Sequence, residues 1–210
     1  MIEHIKGLIK SGHLSNILLA EQLCVGAKLD FDGLLEKVLD LQFWMDNLDD
    51  IPRTSRVEAA CFLLSKTSIN LSCKGLSELS ESIGNLQNLQ RLFLGNNNLN
   101  SLPESIGNLQ NLKVLDLDNN NLSSLPKSIG NLQHLQRLDL EDNNLSRLPE
   151  SIVNLQNLRF LDLSFNNLSN LLESIVNLQN LEALKLGRNP QLPKSEIDNI
   201  KKLLPNTTIT

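Results

Sequence analysis

The sequence is poor in the residues that usually carry chemistry. It holds three histidines, three cysteines and one tryptophan in 210 residues, and aromatics make up 3% of the chain. Cys24, Cys61 and Cys73 form neither an even set nor a C-x-x-C pair, which points to reduced thiols in a cytoplasmic protein. His4 and His13 have no Cys or Asp at ligand spacing, and His134 stands where equivalent segments carry Asn. No G-x-S-x-G, G-x-x-x-x-G-K or H-E-x-x-H occurs. No apolar run reaches the roughly 18 residues of a membrane span. The N-terminal stretch "MIEHIKGLIKSGHL" interrupts any signal-like core with Glu3, Lys6 and Lys10. A non-enzymatic, cytoplasmic protein without catalytic residues, metal, cofactor or membrane contact is expected, with non-standard export left open. The net charge of −5 argues against nucleic acid, which needs a cationic face.

What the chain does have is leucine, asparagine and a period. The stretch "SLPESIGNLQNLKVLDLDNNNL" recurs every 23 residues without insertion. Leu89, Leu112, Leu135, Leu158 and Leu181 are equivalent, and each opens L-x-x-L-x-L-x-x-N. An earlier, degenerate copy keeps Ile69, Leu71, Leu76, Leu79 and Ile83 but has Lys74 in place of the Asn. Period-two alternation, as in Leu92 and Leu94 between Arg91, Phe93 and Gly95, predicts a strand with one buried face. Strands 23 residues apart must be parallel, joined by right-handed crossovers. Six strands are expected. A single coil cannot bury its apolar face alone, so stability has to come from stacking.

These five in-register copies resemble the leucine-rich repeat family, and most closely its 23-residue bacterial type that continues into "LPESIGNLQN". The resemblance covers about residues 66–192. It implies an α/β fold: a right-handed solenoid with a concave parallel β-sheet. Asn97, Asn120, Asn143, Asn166 and Asn189 follow each strand where the chain turns inward, and an amide there can satisfy buried backbone of its own and the neighbouring coil. Around the solenoid, residues 1–65 are expected to form a helical N-terminal cap. Its helices are read at "MIEHIKGLIK", "HLSNILLAEQLCVG", "DFDGLLEKVLDLQFWMDNL" and "TSRVEAACFLLS", punctuated by Gly12, Gly26 and Pro52, with Trp44 packed in the core. Residues 193–210 are read as a capping helix and tail, with Ile197, Ile200, Leu203 and Leu204 on one face as a lid. Asp30, Asp32 and Gly33 faintly suggest a calcium loop, but the Gly falls fourth instead of sixth.

The outward columns of the sheet are the candidate binding surface. Alignment by the period gives one column of Asn70, Phe93, Asp116, Asp139, Asp162 and Lys185. The next reads Ser72, Gly95, Asp118, Glu141, Ser164 and Gly187, and the preceding one Ser68, Arg91, Val114, Arg137, Phe160 and Ala183. Solvated acids in a row would attract a basic group, and Phe93, Phe160 and Phe165 on or beside this face have the character of interface anchors. A protein partner, basic toward the acidic row, is therefore expected on Arg91, Phe93, Asp116, Asp118, Arg137, Asp139, Glu141, Phe160, Asp162 and Phe165. The alternative is a structural or self-assembling protein whose acidic column is inert. The partner's identity and the oligomeric state are not legible in the sequence.

Overall fold

The structure, a computed structural model, describes residues 2–11, 20, 24, 30–49, 56–171 and 173–210. The repeats build one parallel sheet in strict sequence order: β1 (Ser68–Asn70), β2 (Arg91–Phe93), β3 (Val114–Asp116), β4 (Arg137–Asp139), β5 (Phe160–Asp162), β6 (Ala183–Lys185) and β7 (Thr208–Ile209). Each of the first five strands pairs with the next at an offset of 23, for example Leu92 with Leu115 and Leu138 with Leu161, whereas β6 pairs with β7 at an offset of 25. The aligned columns of the sequence are thus true neighbours across strands. The sheet is an open ribbon, as expected of an α/β leucine-rich repeat solenoid.

Every return segment from β1 to β6 passes through a short 3-10 turn, such as Glu104–Asn108, Lys127–Asn131 and Glu150–Asn154. Pro103, Pro126 and Pro149 stand immediately before these turns, where a fixed φ suits entry and no N–H is required. Inside each turn Ile106, Ile129 and Ile152 are buried together with the strand leucines. The turns stack closely. At Gly107 and Gly130 a side chain would run into the backbone oxygen of Ser128 and Ser151 in the next coil. Val153 and Val176 replace glycine in the last two coils and pack, half-buried, against the core.

One continuous apolar core runs from the N-terminal helices into the solenoid and on to Ile200 and Leu204. The described helices before the repeats are α1 (Ile2–Lys10), α2 (Phe31–Leu39), α3 (Leu41–Asn47) and α4 (Arg56–Ser65). Of the helix read at 13–26, only Ala20 and Cys24 are described, both helical and buried. His13, Gly12, Gly26 and Pro52 lie outside the described residues.

The single helix expected over "DFDGLLEKVLDLQFWMDNL" is two. Asp40 sits between them in the left-handed region (φ 47°) and closes α2 by donating its N–H to Glu36 O. Its carboxylate accepts from Ser80 Oγ at 2.6 Å, so a contact with the first coil fixes the break. Trp44 is fully buried, as expected, and its Nε1–H donates to Ser82 Oγ at 2.9 Å. Asp30, the acid of the calcium-like stretch, caps α2 by accepting from the Gly33 N–H at 2.9 Å.

At the other end, α5 (Lys194–Leu203) lies over the last coil. Ile200 and Leu204 are buried and Ile197 is half-buried, but Leu203 is 52% exposed and does not join the expected face. The helix ends there, because the chain must turn back to place β7 beside β6. Thr208 donates to Glu182 O at 2.8 Å and Leu186 to Thr210 O at 2.7 Å. This seventh strand has no L-x-L signature, so the period could not announce it.

Candidate functional site

The Asn column is structural throughout. Asn97, Asn120, Asn143, Asn166 and Asn189 are all buried. Asn120 Nδ2 donates to Leu94 O of the preceding coil at 3.0 Å and to Leu117 O of its own at 3.2 Å, while its Oδ1 accepts from the Leu99 N–H at 3.0 Å. Asn143, Asn166 and Asn189 repeat this set one coil further each time. Each amide thus serves the coil before it. Lys74 in the first coil is explained by this direction: no repeat precedes it, and its own N–H is held by Asn97 Oδ1 at 3.1 Å.

A second ladder was missed in the sequence. Asn88, Asn111, Asn157 and Asn180 each donate to a backbone carbonyl of the preceding coil or helix, at 2.7–2.9 Å. His134 is exposed, yet it keeps the contact: its Nδ1 lies 2.7 Å from Gln110 O, which requires the proton on that nitrogen. The signal was present as the last Asn of "NLQN" on the same 23-residue period.

The concave columns depart from the solvated row that the sequence suggests. Asp116 is half-buried, Asp139 is 8% exposed and Asp162 is 0% exposed. Each accepts the backbone N–H two residues on: Asp116 from Asp118 at 3.3 Å, Asp139 from Glu141 at 3.3 Å and Asp162 from Ser164 at 3.0 Å. Asn70 does the same for Ser72 at 2.9 Å. The column therefore has a local backbone role, which Phe93 and Lys185 do not share.

Two of these acids have counter-charges within the chain. Arg137 Nη2 lies 2.7 Å from Asp139 Oδ2, and Lys185 Nζ lies 2.8 Å from Asp162 Oδ2. That Asp162 oxygen has no well-aligned hydrogen bond among the described residues, so the Lys185 ion pair is its compensation. Both cations also lean on one ring, with the Arg137 guanidinium 3.9 Å and the Lys185 ammonium 5.3 Å from the Phe160 centroid. Lys185 belongs to this cluster although the expected site omits it. The Asp162 partner raises the Lys185 pKa, and burial raises that of Asp139 against the Glu141 N–H and Arg137, which lower it.

Among the described residues Asp116 keeps no cation partner, nor do Asp118 and Glu141 one column over. Asp118 is pushed up to about 6 by burial first and then by its hydrogen bond and repulsion with Asp116, Asp139 and Glu141. Its carboxylate lies over Gly95, where any side chain would overlap it, and accepts from Asn96 Nδ2 at 3.3 Å. Asp139, Glu141 and Asp162 bring carboxylate oxygens within 4.8 Å of one another, a set that could hold a cation, though Arg137 and Lys185 already face two of them. The expectation of no metal took no account of this grouping. Arg91 and Phe93 lie two coils toward the N-terminus from Arg137 and Asp139, with Phe93 directly beside Asp116. Phe165 projects from the turn after β5, 47% exposed, with the Arg188 guanidinium 5.8 Å from its ring. Arg188 also lies outside the expected site.

A parallel ribbon that adds one coil per 23 residues, sealed by an Asn ladder, defines a leucine-rich repeat solenoid. The model of a leucine-rich repeat region matches residues 37–140 and 113–205, and the chain belongs to the leucine-rich repeat family. Among solved structures it is similar to a leucine-rich repeat protein of Leptospira interrogans, with 36% identity and a TM-score of 0.59. That likeness covers 67% of this chain and 41% of the other, so the chain spans about two-fifths of that protein's length. It is also similar to the leucine-rich repeat ectodomain of the receptor kinase SOBIR1 from Arabidopsis thaliana, with 34% identity and a TM-score of 0.53, over 59% of this chain and 71% of that one. No curated protein matches the chain significantly. Among the described residues, no helix is long and apolar enough to cross a membrane.

Proposed function

We propose that the chain is a non-enzymatic interaction module that holds a protein partner on the concave face of its repeats, with residues 1–65 and 193–210 closing the two ends of the solenoid at 66–192. Leucine-rich repeat proteins serve in general as protein-interaction modules, which supports this reading. The observation that carries it is the division of labour across the sheet. The inward face is a closed leucine core, whereas the outward face carries half-buried Phe93 and Phe160 beside Asp116, Asp118 and Glu141, acids with no cation partner among the described residues. Aromatic anchors within a polar rim are the composition of protein interfaces. No nucleic acid, cofactor or membrane has a part in this reading, and the protein acts in the cytoplasm.

The test is affinity capture from the native cell with the wild type and with a Phe93→Ala/Glu141→Lys double variant of unchanged melting temperature. A protein retained by the wild type and lost by the variant is the expected result. Equal retention by both would remove the concave face from the mechanism. Self-association of the pure protein, unchanged in the same variant, would favour the assembling alternative with its inert acidic column.

A further inference from the structure

We propose that the C-terminal rim of the concave face, centred on Phe165 and Arg188, is an anchoring point for a protein segment that presents an apolar side chain beside a carboxylate. The proposal rests on the concave-face reading and names the partner's chemistry. It begins from backbone strain. The turn after each strand places one residue in the left-handed region: Cys73, Asn96, Asn119, Asp142, Phe165 and Arg188, with φ between 48° and 59°. Asn and Asp tolerate that region because their short polar side chains find hydrogen bonds, as Asn119 does by donating to Asn96 Oδ1 of the preceding coil at 2.7 Å. A phenylalanine gains nothing of this kind and is a true outlier there.

Phe165 is unfavourable in a second respect. Among the described residues only it and Leu203 are large hydrophobics left exposed. Folding therefore disfavours this side chain both through its backbone and through its exposure, and a residue of this kind points to a role outside folding.

The surroundings specify the occupant. Arg188 is the next residue in the same column and has no ion pair among the described residues. Arg137 and Lys185, the cations on Phe160, are held by Asp139 and Asp162. Arg188, exposed beside the Phe165 ring, is thus the cation of this rim that is open to a carboxylate from outside. On the other side of Phe165 stands the exposed Asp142, with Glu141 beside it. Successive coils are about 5 Å apart. A segment lying along the solenoid would meet acid, aromatic and cation in that order. The complementary segment carries a basic residue, then an apolar one over Phe165, then a carboxylate that forms a bidentate pair with Arg188.

The experiment is selection of a displayed random-peptide library on the full chain, followed by affinity measurement of the enriched peptides against three variants. Enrichment of an Asp or Glu next to a large apolar residue, with a basic residue on its far side, is expected. Those peptides should bind Arg188→Glu and Phe165→Asn at least about tenfold more weakly, the loss of a hot-spot contact. Phe165→Asn should meanwhile raise the melting temperature, since Asn suits the left-handed turn. Failure to enrich that motif, or a lowered melting temperature in Phe165→Asn, would overturn the proposal. Peptides indifferent to these two variants but lost in Phe93→Ala/Glu141→Lys would sink the rim proposal and leave the concave-face reading standing. Peptides indifferent to all three would sink both.

Discussion

The Asn column inside the turns and the Asp column on the concave face are two polar regions built on the same 23-residue period, and they behave differently. Every Asn is buried, and each sets its amide between two coils, so each depends on a neighbour and the column is uniform from Asn97 to Asn189. Each Asp bonds backbone only within its own strand, two residues ahead, so no neighbouring coil's backbone requires it, and the same column holds Phe93 and Lys185. A polar column that links coils is constrained by the stack. One that serves its own strand is free to vary, and partner recognition can use that freedom.

The comparison breaks most sharply at the ladder. Asn143→Ala leaves the buried Leu122 N–H unpaired and takes one of two amide donors from both Leu117 O and Leu140 O, which keep Asn120 and Asn166, and should cost about 3 kcal/mol in chemical denaturation, the upper end for leaving a buried polar group unpaired. An unchanged midpoint would refute the structural assignment.

Next in size is the buried carboxylate. Lys185→Met strips Asp162 of its only close counter-charge among the described residues, and should cost about 2 kcal/mol, less than for a fully buried pair because the ammonium is half-exposed. Asp162→Asn in that background should restore most of the loss, since Asn can still accept from Ser164 as Asn70 does from Ser72. Additive losses in the double variant would show that the two side chains are not paired.

A smaller effect is expected at Asp118. Its pKa of about 6 in the fold lies above the ordinary 3.8, so between roughly pH 4 and 6 the native state binds more protons than the unfolded chain. The contribution of this group to stability is therefore fully present at low pH and is lost as pH rises through about 6. Asp118→Asn should melt above the wild type at pH 7.5, and the difference should vanish by pH 4. Equal melting temperatures at both pH values would contradict the raised pKa. The smallest effect belongs to the second ladder: His134→Asn restores the repeat's usual residue and should change stability by less than about 0.5 kcal/mol, whereas His134→Ala should cost more than His134→Asn.

Much of the fold was legible because repetition makes one local rule readable many times. Six strands, their parallel order and their register all follow from the spacing of Leu92, Leu115, Leu138 and their equivalents, and the Asn ladder follows from an amide at an inward turn. The misses lie where repetition stops. The break at Asp40 depends on Ser80, which lies 40 residues away in sequence, and no helical periodicity records it. Strand β7 is built from Thr208 and Ile209 because the edge of β6 is there to be paired, not because those residues announce a strand. On the concave face the sequence placed the candidate columns correctly but gave the wrong solvation, since Arg137 and Lys185 fold over the acids and Phe160 between them.

The sequence by itself determined the period, the leucine core, the parallel stack and the polar ladder, because each depends on contacts between equivalent residues and a single spacing repeats them all. Only the tertiary structure decided which acids are buried and paired, which remain open, and where the two ends close. Those outcomes depend on side chains that differ from coil to coil, and their charge and burial are set by neighbours that the fold alone brings within a few ångströms.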